Sequence, residues 1–342
     1  MKTLRTTLKN TPSVNFNILH PEEILFLDIE TTGLTPDLSV IFMIGCGFID
    51  GNHLEIIQWL SDSAELHGEQ EILRAFSGWI EDRWHTAGNF HLITYNGQNF
   101  DLPFLQSRCR QCAVTNPLEV LNPIKASTDL YRFVRNFKNL WPVPNLKLKS
   151  MAAWLGHPVS SAPEGRGLIH AYQNYLKTKD SAALDLLFLH NIQDLSSLSF
   201  VLALCNYSVF FEGAYTITQA RRPEKHCLEL TLTPEIFLPK PLSYESLNFH
   251  MDILDSEVHI FAPVYHEKLR YYHSDFKNYV YLPKEDYAIP KSMASYVDRD
   301  HWIKTSRENC YTWFPLDTDF MNDHESQKNY TSMIFRLFGF SG

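Results

Sequence analysis

The run ILFLDIETTGL, residues 24–34, constrains this chain more tightly than any other stretch. A short apolar run closed by Gly33 and Pro36 reads as a buried strand. Residues i and i+2 of a strand share a face, so Asp28 and Glu30 emerge side by side on a surface that otherwise belongs in a core. Two like charges that close repel each other and lose hydration, at a cost of several kcal/mol unless a cation neutralises them. A divalent ion is the economical answer, and Mg²⁺ and Mn²⁺ prefer such hard oxygen ligands.

The residues beyond Pro36 place that strand in a sheet. A turn around TPD, a second run VIFMIGCGFI, a turn at DGN and a third run LEIIQWL predict an antiparallel meander over 24–60. In GEQEILRAFSGWIEDRW, residues Ile72, Leu73, Phe76, Trp79, Ile80 and Trp84 recur at helical spacing. A strand FHLITYN, a helix starting near Pro103, a strand ending near STDLY, a helix at KLKSMAAWLG stopped by Gly156 and Pro158, and a long helix from about 181 to 205 complete the pattern. Strands first, then helices alternating with strands, predict an α/β fold with a mixed β-sheet flanked by helices. This domain is expected over 22–207. Residues 1–21, with Lys2, Arg5 and Lys9, form an arm or a first edge element. Beyond residue 212 the chain alternates apolar and polar residues, is rich in Tyr, Thr and Val, and is punctuated by proline, which predicts a smaller β-rich module over 212–342. At 342 residues and 44% apolar composition the chain can bury a core of that size.

One strand cannot furnish a whole metal site, so partner carboxylates must converge on it. In YNGQNFDLPFL an apolar strand runs into a polar turn and Asp101 opens a helix. In LDLLFLHNIQDLSSL Asp194 interrupts a helix whose apolar residues nearly surround it. The three stretches LDIETTGL, YNGQNFDLPFL and HNIQDL, in that order, resemble the motifs of the DEDD exonucleases on the RNase-H-like fold, the group of the DnaQ proofreading subunit. The second motif is similar to its form in the proofreading domain of family B DNA polymerases, and the arrangement with STDLY and LKLKSMAAWLG looks most like the YprB-type RNase-H-like domain. The resemblance covers about residues 22–205. It implies that Asp28, Glu30, Asp101 and Asp194 bind two divalent cations, Mg²⁺ or Mn²⁺, and that the pair hydrolyses a phosphodiester bond at the 3′ end of single-stranded DNA or RNA.

His190 and Asp194 are i and i+4 on one helix face. The family carries Tyr four residues before the last Asp or His five before it, so His at the Tyr spacing is a departure. An imidazole with an ordinary pKa near 6.5 suits a general base or a water-orienting group; the plainer alternative is a polar residue lining the cleft. By resemblance Thr31, Thr32, Gly33 and Leu34 hold the 3′-terminal nucleotide, or else form a plain strand-to-turn transition. Asn96, Asn99 and Phe100 are expected to contact substrate, although Asn beside Gly97 also suits a turn. Asp129 either supports the carboxylates from behind or caps a strand end. Arg132, Arg135, Lys138, Lys147 and Lys149 form the densest basic stretch, interleaved with Tyr131, Phe133, Phe137 and Trp141. Phosphates on the cations and bases on the rings would suit a single strand; a solvated helix face is the alternative.

A net charge of −9 argues against a broad basic surface that coats nucleic acid, and leaves room for a local site whose positive charge comes from ions. No apolar run nears the roughly 20 residues that span a bilayer, and the first residues lack the apolar segment of a secretory signal; a cytoplasmic protein with no membrane partner is expected. Cys109 and Cys112 have metal-ligand spacing but no second pair, and read as structural thiols. Two other functions stay open: an adaptor that kept the fold and lost the chemistry, against which four mutually repelling acids weigh, and a structure-selective endonuclease.

Overall fold

The computed structural model describes residues 1–9, 20–120, 124–158, 165–337 and 339. They divide into two compact units, Met1–Lys138 with Val143–Ala203, and Asn139–Pro142 with Leu204–Gly342.

The first unit is a six-stranded mixed sheet with helices on both faces. Its elements are β1 (Lys2–Lys9), β2 (Ile24–Thr31), β3 (Ile41–Asp50), β4 (His53–Leu60), α1 (Leu66–Ala87), β5 (Phe90–Thr94), α2 (Asp101–Gln111), α3 (Pro117–Val120), β6 (Ile124–Asp129), α4 (Leu130–Asn136), α5 (Leu148–Trp154), α6 (Arg166–Thr178) and α7 (Ser181–Val201). The strand order is β1-β4-β3-β2-β5-β6. β2, β3, β4 and β1 pair antiparallel as the meander predicts, whereas β5 and β6 add in parallel to β2. The N-terminal segment, expected as an arm or an edge element, is the edge: β1 pairs with β4 from Lys2↔Leu60 to Lys9↔His53, and its lysines sit on the open side of the sheet. Charged residues there discourage further strand addition. The rest of the expected arm, residues 10–19, lies outside the described residues.

Alternation along β2 sorts its side chains. Leu25, Leu27 and Ile29 enter a core with Ile72, Leu73 and Phe76 of α1 and Phe104 and Leu105 of α2. Asp28 and Glu30 therefore face the opposite layer, where α7 crosses the sheet. α7 is apolar on nearly all sides because it is a core helix. The continuous stretch Ser181–Phe211 is long and apolar enough to cross a membrane by composition, yet 72% of its apolar window is buried inside the protein.

The second unit contains α8 (Cys205–Phe211), β7 (Tyr215–Glu224), β8 (Cys227–Pro234), β9 (Leu242–Glu245), β10 (His250–Ile253), β11 (Val258–Pro263), β12 (Lys268–Tyr272), β13 (Tyr279–Leu282), β14 (Tyr287–Pro290), α9 (Lys291–Ala294), β15 (Ile303–Lys304), β16 (Tyr311–Pro315), α10 (Thr318–Asn322) and α11 (His324–Leu337). β7-β8-β11-β10-β9 form one sheet, with a β12-β16 pair and a β14-β13-β15 sheet beside it. The β-rich texture predicted beyond residue 212 is present. Residues 139–142 also belong to this unit, since Trp141 packs edge-on against Tyr207 at 5.5 Å, and so is no partner for a bound strand. The tyrosine-rich segment packs around a cation: the Arg270 guanidinium lies 4.3 Å from the Tyr265 ring, 4.2 Å from Tyr311 and 5.2 Å from Trp313.

Candidate functional site

The sheet brings Asp28 and Glu30 under α7, which turns His190, Asn191 and Asp194 towards them. Ligand atoms of Glu30, His190 and Asp194 lie within 4.8 Å of one another, the one such group among the described residues. His190 Nε2 is 3.3 Å from Glu30 Oε1 and 3.3 Å from Asp194 Oδ2. Burial alone would lower the imidazole pKa, but the hydrogen bond to Glu30 and the charges of Glu30 and Asp194 outweigh it, and the net direction is upward. Lys149 on α5 is close enough to work against that rise.

Asp101 reaches the same place from the other side. The parallel pairing of β5 with β2 stops at Phe26↔Ile93, so the Ile29 N–H beyond it is open to another acceptor. Asp101 Oδ1 takes it at 3.1 Å, which hooks the first residue of α2 between Asp28 and Glu30. Asp101 is 6% exposed, and burial, with the charges of Glu30 and Asp129, pushes its carboxyl from 3.8 to about 7. Asp28 rises well above the usual carboxylate range, first through burial and then through Glu30, Asp194 and Asp101. Glu30, Asp101 and Asp194 are thus each near enough to Asp28 for their charges to raise its pKa.

The sequence reading missed the support beneath Asp28. Across the sheet, Asp28 pairs with Gly45 and Gly45 with Gln58, in one row. The Asn191 amide lies over that row, donating from Nδ2 to Asp28 Oδ2 at 2.6 Å and accepting from Gln58 Nε2 at 2.8 Å. Gly45 makes room for it: a Cβ there would fall 2.0 Å from Asn191 Oδ1. Asn191 and Gln58 are both fully buried, and Gln58 also donates to Phe188 O at 3.0 Å. The available signal was a polar residue inside each of two apolar runs, LEIIQWL and HNIQDL.

The flanking residues divide. Thr31 Oγ1 donates to Gly33 O, Thr32 Oγ1 accepts from Val40 N, and a Cβ on Gly33 would fall 2.5 Å from Ser39 Oγ, so this trio shapes the turn after a bulge at Glu30/Thr31. Leu34, 85% exposed, is left as an apolar side chain on the rim. Asn96 sits at φ 64°, and its side chain accepts from Asn99 at 3.0 Å. Phe100 packs against Phe104 at 5.4 Å, on the core side of α2. Asp129, the last residue of β6, caps the helix α4 and also accepts from Asn96 N at 2.8 Å and Gln98 N at 3.2 Å, which fixes the loop leading to Asp101. Arg132 reaches Gln98 of that loop at 3.4 Å, Arg135 lies 5.9 Å from the Tyr131 ring centre, Lys147 is exposed, and Lys149 approaches His190. Phe137 is buried, which removes it from the expected stacking set. Burial pushes the Cys109 thiol up to about 12 and Cys112 to about 11, so neither is a ready thiolate.

Comparison with solved structures finds weak likenesses. A family B DNA polymerase from the archaeon Pyrobaculum calidifontis shares 18% identity over 56% of this chain and 25% of its own, at a TM-score of 0.43. E. coli exonuclease I in complex with a dT13 oligonucleotide shares 17% identity over 62% of this chain and 55% of its own, at 0.33. The chain thus spans about a quarter of the polymerase and about half of the exonuclease. No curated protein matches it. The family model of the RNase H superfamily matches residues 25–206, more than half of the chain and the whole span that carries Asp28, Glu30, Asp101, His190 and Asp194. The chain belongs to the RNase H superfamily.

Proposed function

We propose that the chain is a metal-dependent nuclease of the DEDD type that trims single-stranded nucleic acid from the 3′ end. The observation that carries this reading is the convergence of Asp28, Glu30, Asp101 and Asp194 from β2, α2 and α7, two of them buried enough to be driven towards their neutral forms. Four acids drawn together, with Asp101 only 6% exposed, destabilise the fold unless something positive is held there. The donors fit a divalent cation, being carboxylate oxygens with one imidazole, and Asp28, Glu30, Asp101 and Asp194 are the ligands proposed for two such ions. Mg²⁺ or Mn²⁺ would supply charge neutralisation at the phosphate and activation of water.

The chain's own side chains divide the remaining work. Asn191 holds Asp28 by one oxygen and leaves the other to point forward. Asp101 is oriented by the Ile29 N–H. His190 faces Glu30 and Asp194; once those charges are neutralised nothing holds a proton on Nε2, which leaves a base in the cleft near neutral pH. The exposed Leu34 and Asn99 and the half-buried Asn96 are the side chains proposed to meet a terminal nucleotide.

The test is a 5′-labelled single-stranded oligonucleotide, as DNA and as RNA, with Mg²⁺ or Mn²⁺. Stepwise shortening is expected, abolished by EDTA and reduced at least about a hundredfold in Asp101→Ala. A ladder that persists in Asp101→Ala, or no shortening of either strand, overturns the reading. A 3′-blocked strand should resist; internal cuts in it would point to an endonuclease.

A further inference from the structure

A groove of about 730 Å³ lies between the loop that precedes Asp101 and the segment that leads into α5. Tyr95, Asn96, Tyr131, Leu146 and Lys147 line it. The Tyr95 hydroxyl donates to Leu146 O, which ties the loop to the segment leading into α5. The Tyr95 and Tyr131 rings stand 5.7 Å apart at 60°, an open V and not a closed stack. Both rings are half-buried and line the groove, and Lys147, which also lines it, is exposed. The Arg135 guanidinium, 5.9 Å from the Tyr131 ring centre, adds a second cation.

Two neighbours connect the groove to the reaction centre. Asn96 begins the loop whose backbone leads to Asp101, and Lys149, two residues after Lys147, is near enough to His190 to affect its charge. The chain as a whole carries −9, yet Lys147 lines this groove and the Arg135 guanidinium lies 5.9 Å from the ring centre of Tyr131 in its lining. A tilted aromatic notch bordered by cations suits one class of ligand. A planar base lies against one ring with its edge to the other, and its phosphate meets ammonium or guanidinium.

We infer that this groove is a base-stacking subsite for a single-stranded nucleic acid, holding a nucleotide upstream of the 3′-terminal one, with Tyr131 as the stacking face and Lys147 as the phosphate contact. The inference rests on the nuclease reading for what the strand is doing there, and its test does not depend on cleavage. Tyr131 was among the rings the sequence offered for stacking; Tyr95 was not, because its proximity to Tyr131 comes from the pairing of β5 with β6.

The experiment measures fluorescence anisotropy of labelled dT12 and rU12 on the full chain in EDTA, so that no strand is consumed. Tyr131→Ala is expected to weaken binding on the order of tenfold, as loss of one base–aromatic stack does, and Tyr131→Phe to restore it. Lys147→Gln should weaken binding and reduce the slope of log affinity against log salt by roughly 0.7, one single-strand phosphate. The exposed Lys147 reads the groove independently of any effect of Tyr131→Ala on folding. Wild-type affinity in both Tyr131→Ala and Lys147→Gln, or no binding of either strand by the wild type, overturns the subsite. Binding lost in the variants while wild-type protein with Mn²⁺ shortens neither strand would keep the subsite and remove the nuclease reading; shortening with unchanged binding in the variants does the reverse.

Discussion

Asn191 has no room to move. Its amide is sandwiched between Asp28 and Gln58 and rests on the bare backbone of Gly45. An added methyl at Gly45, 2.0 Å from Asn191 Oδ1, must expel the amide and so break both hydrogen bonds at once. Gly45→Ala and Asn191→Ala should therefore damage the same thing. Each is expected to cost roughly 1–3 kcal/mol, the penalty for stranding buried polar partners. In the Asn191→Ala background, Gly45→Ala should add well under 1 kcal/mol, because the clash has gone. Thermal or urea unfolding of the four proteins in the cycle checks this; costs that simply add would show that the amide does not couple the row.

Between elements, one joint is a buried ion pair. Glu69 of α1 accepts from Ile41 N at 2.8 Å and from Arg108 Nε at 2.8 Å and Nη2 at 2.5 Å, while Arg108 Nη1 of α2 donates to Pro36 O at 2.9 Å. The clamp thus locks α1, α2, the start of β3 and the turn after β2, and it holds α2 where Asp101 meets Ile29. Arg108→Ala leaves the Glu69 charge buried without its partner and should destabilise by roughly 3–5 kcal/mol. Replacing both with Leu removes the orphaned charge and should be milder, a comparison that urea midpoints resolve; a double variant as damaged as the single one would contradict it. This clamp also marks what the sequence could show. The apolar periods of β2, α1 and α7 were legible because each element buries its own face, and the four carboxylates stood out as charges inside those periods. The partners were not legible. Glu69 and Arg108 are 39 residues apart and Gln58 and Asn191 are 133 apart, and a polar residue inside an apolar run announces that a partner exists without saying which. The pairing of β1 with β4 was hidden for the same reason.

For the molecule as a whole, the carboxylates set how stability depends on pH. Asp101, raised to about 7, and Asp28, raised well above the usual carboxylate range by burial and its acidic neighbours, bind protons more tightly folded than unfolded. The folded state then holds the extra protons between about pH 4 and 7, so stability from these groups is present at the acidic end and is lost as pH rises through that window. His190 acts in the same direction, because its raised pKa contributes stability below about 6.5 that fades as pH climbs past its folded value. A bound cation reverses the trend, since it needs the acids deprotonated and adds about 2.7 kcal/mol at a hundredfold excess over Kd. In EDTA the melting temperature should accordingly fall from pH 5 to 7.5, and the increment on adding Mn²⁺ should grow over the same range. Asp101→Asn, which cannot ionise, should flatten the EDTA slope and shrink the Mn²⁺ increment together. An Mn²⁺ increment that is equal at pH 5 and 7.5, or unaffected by Asp101→Asn, would place the ion away from these four acids.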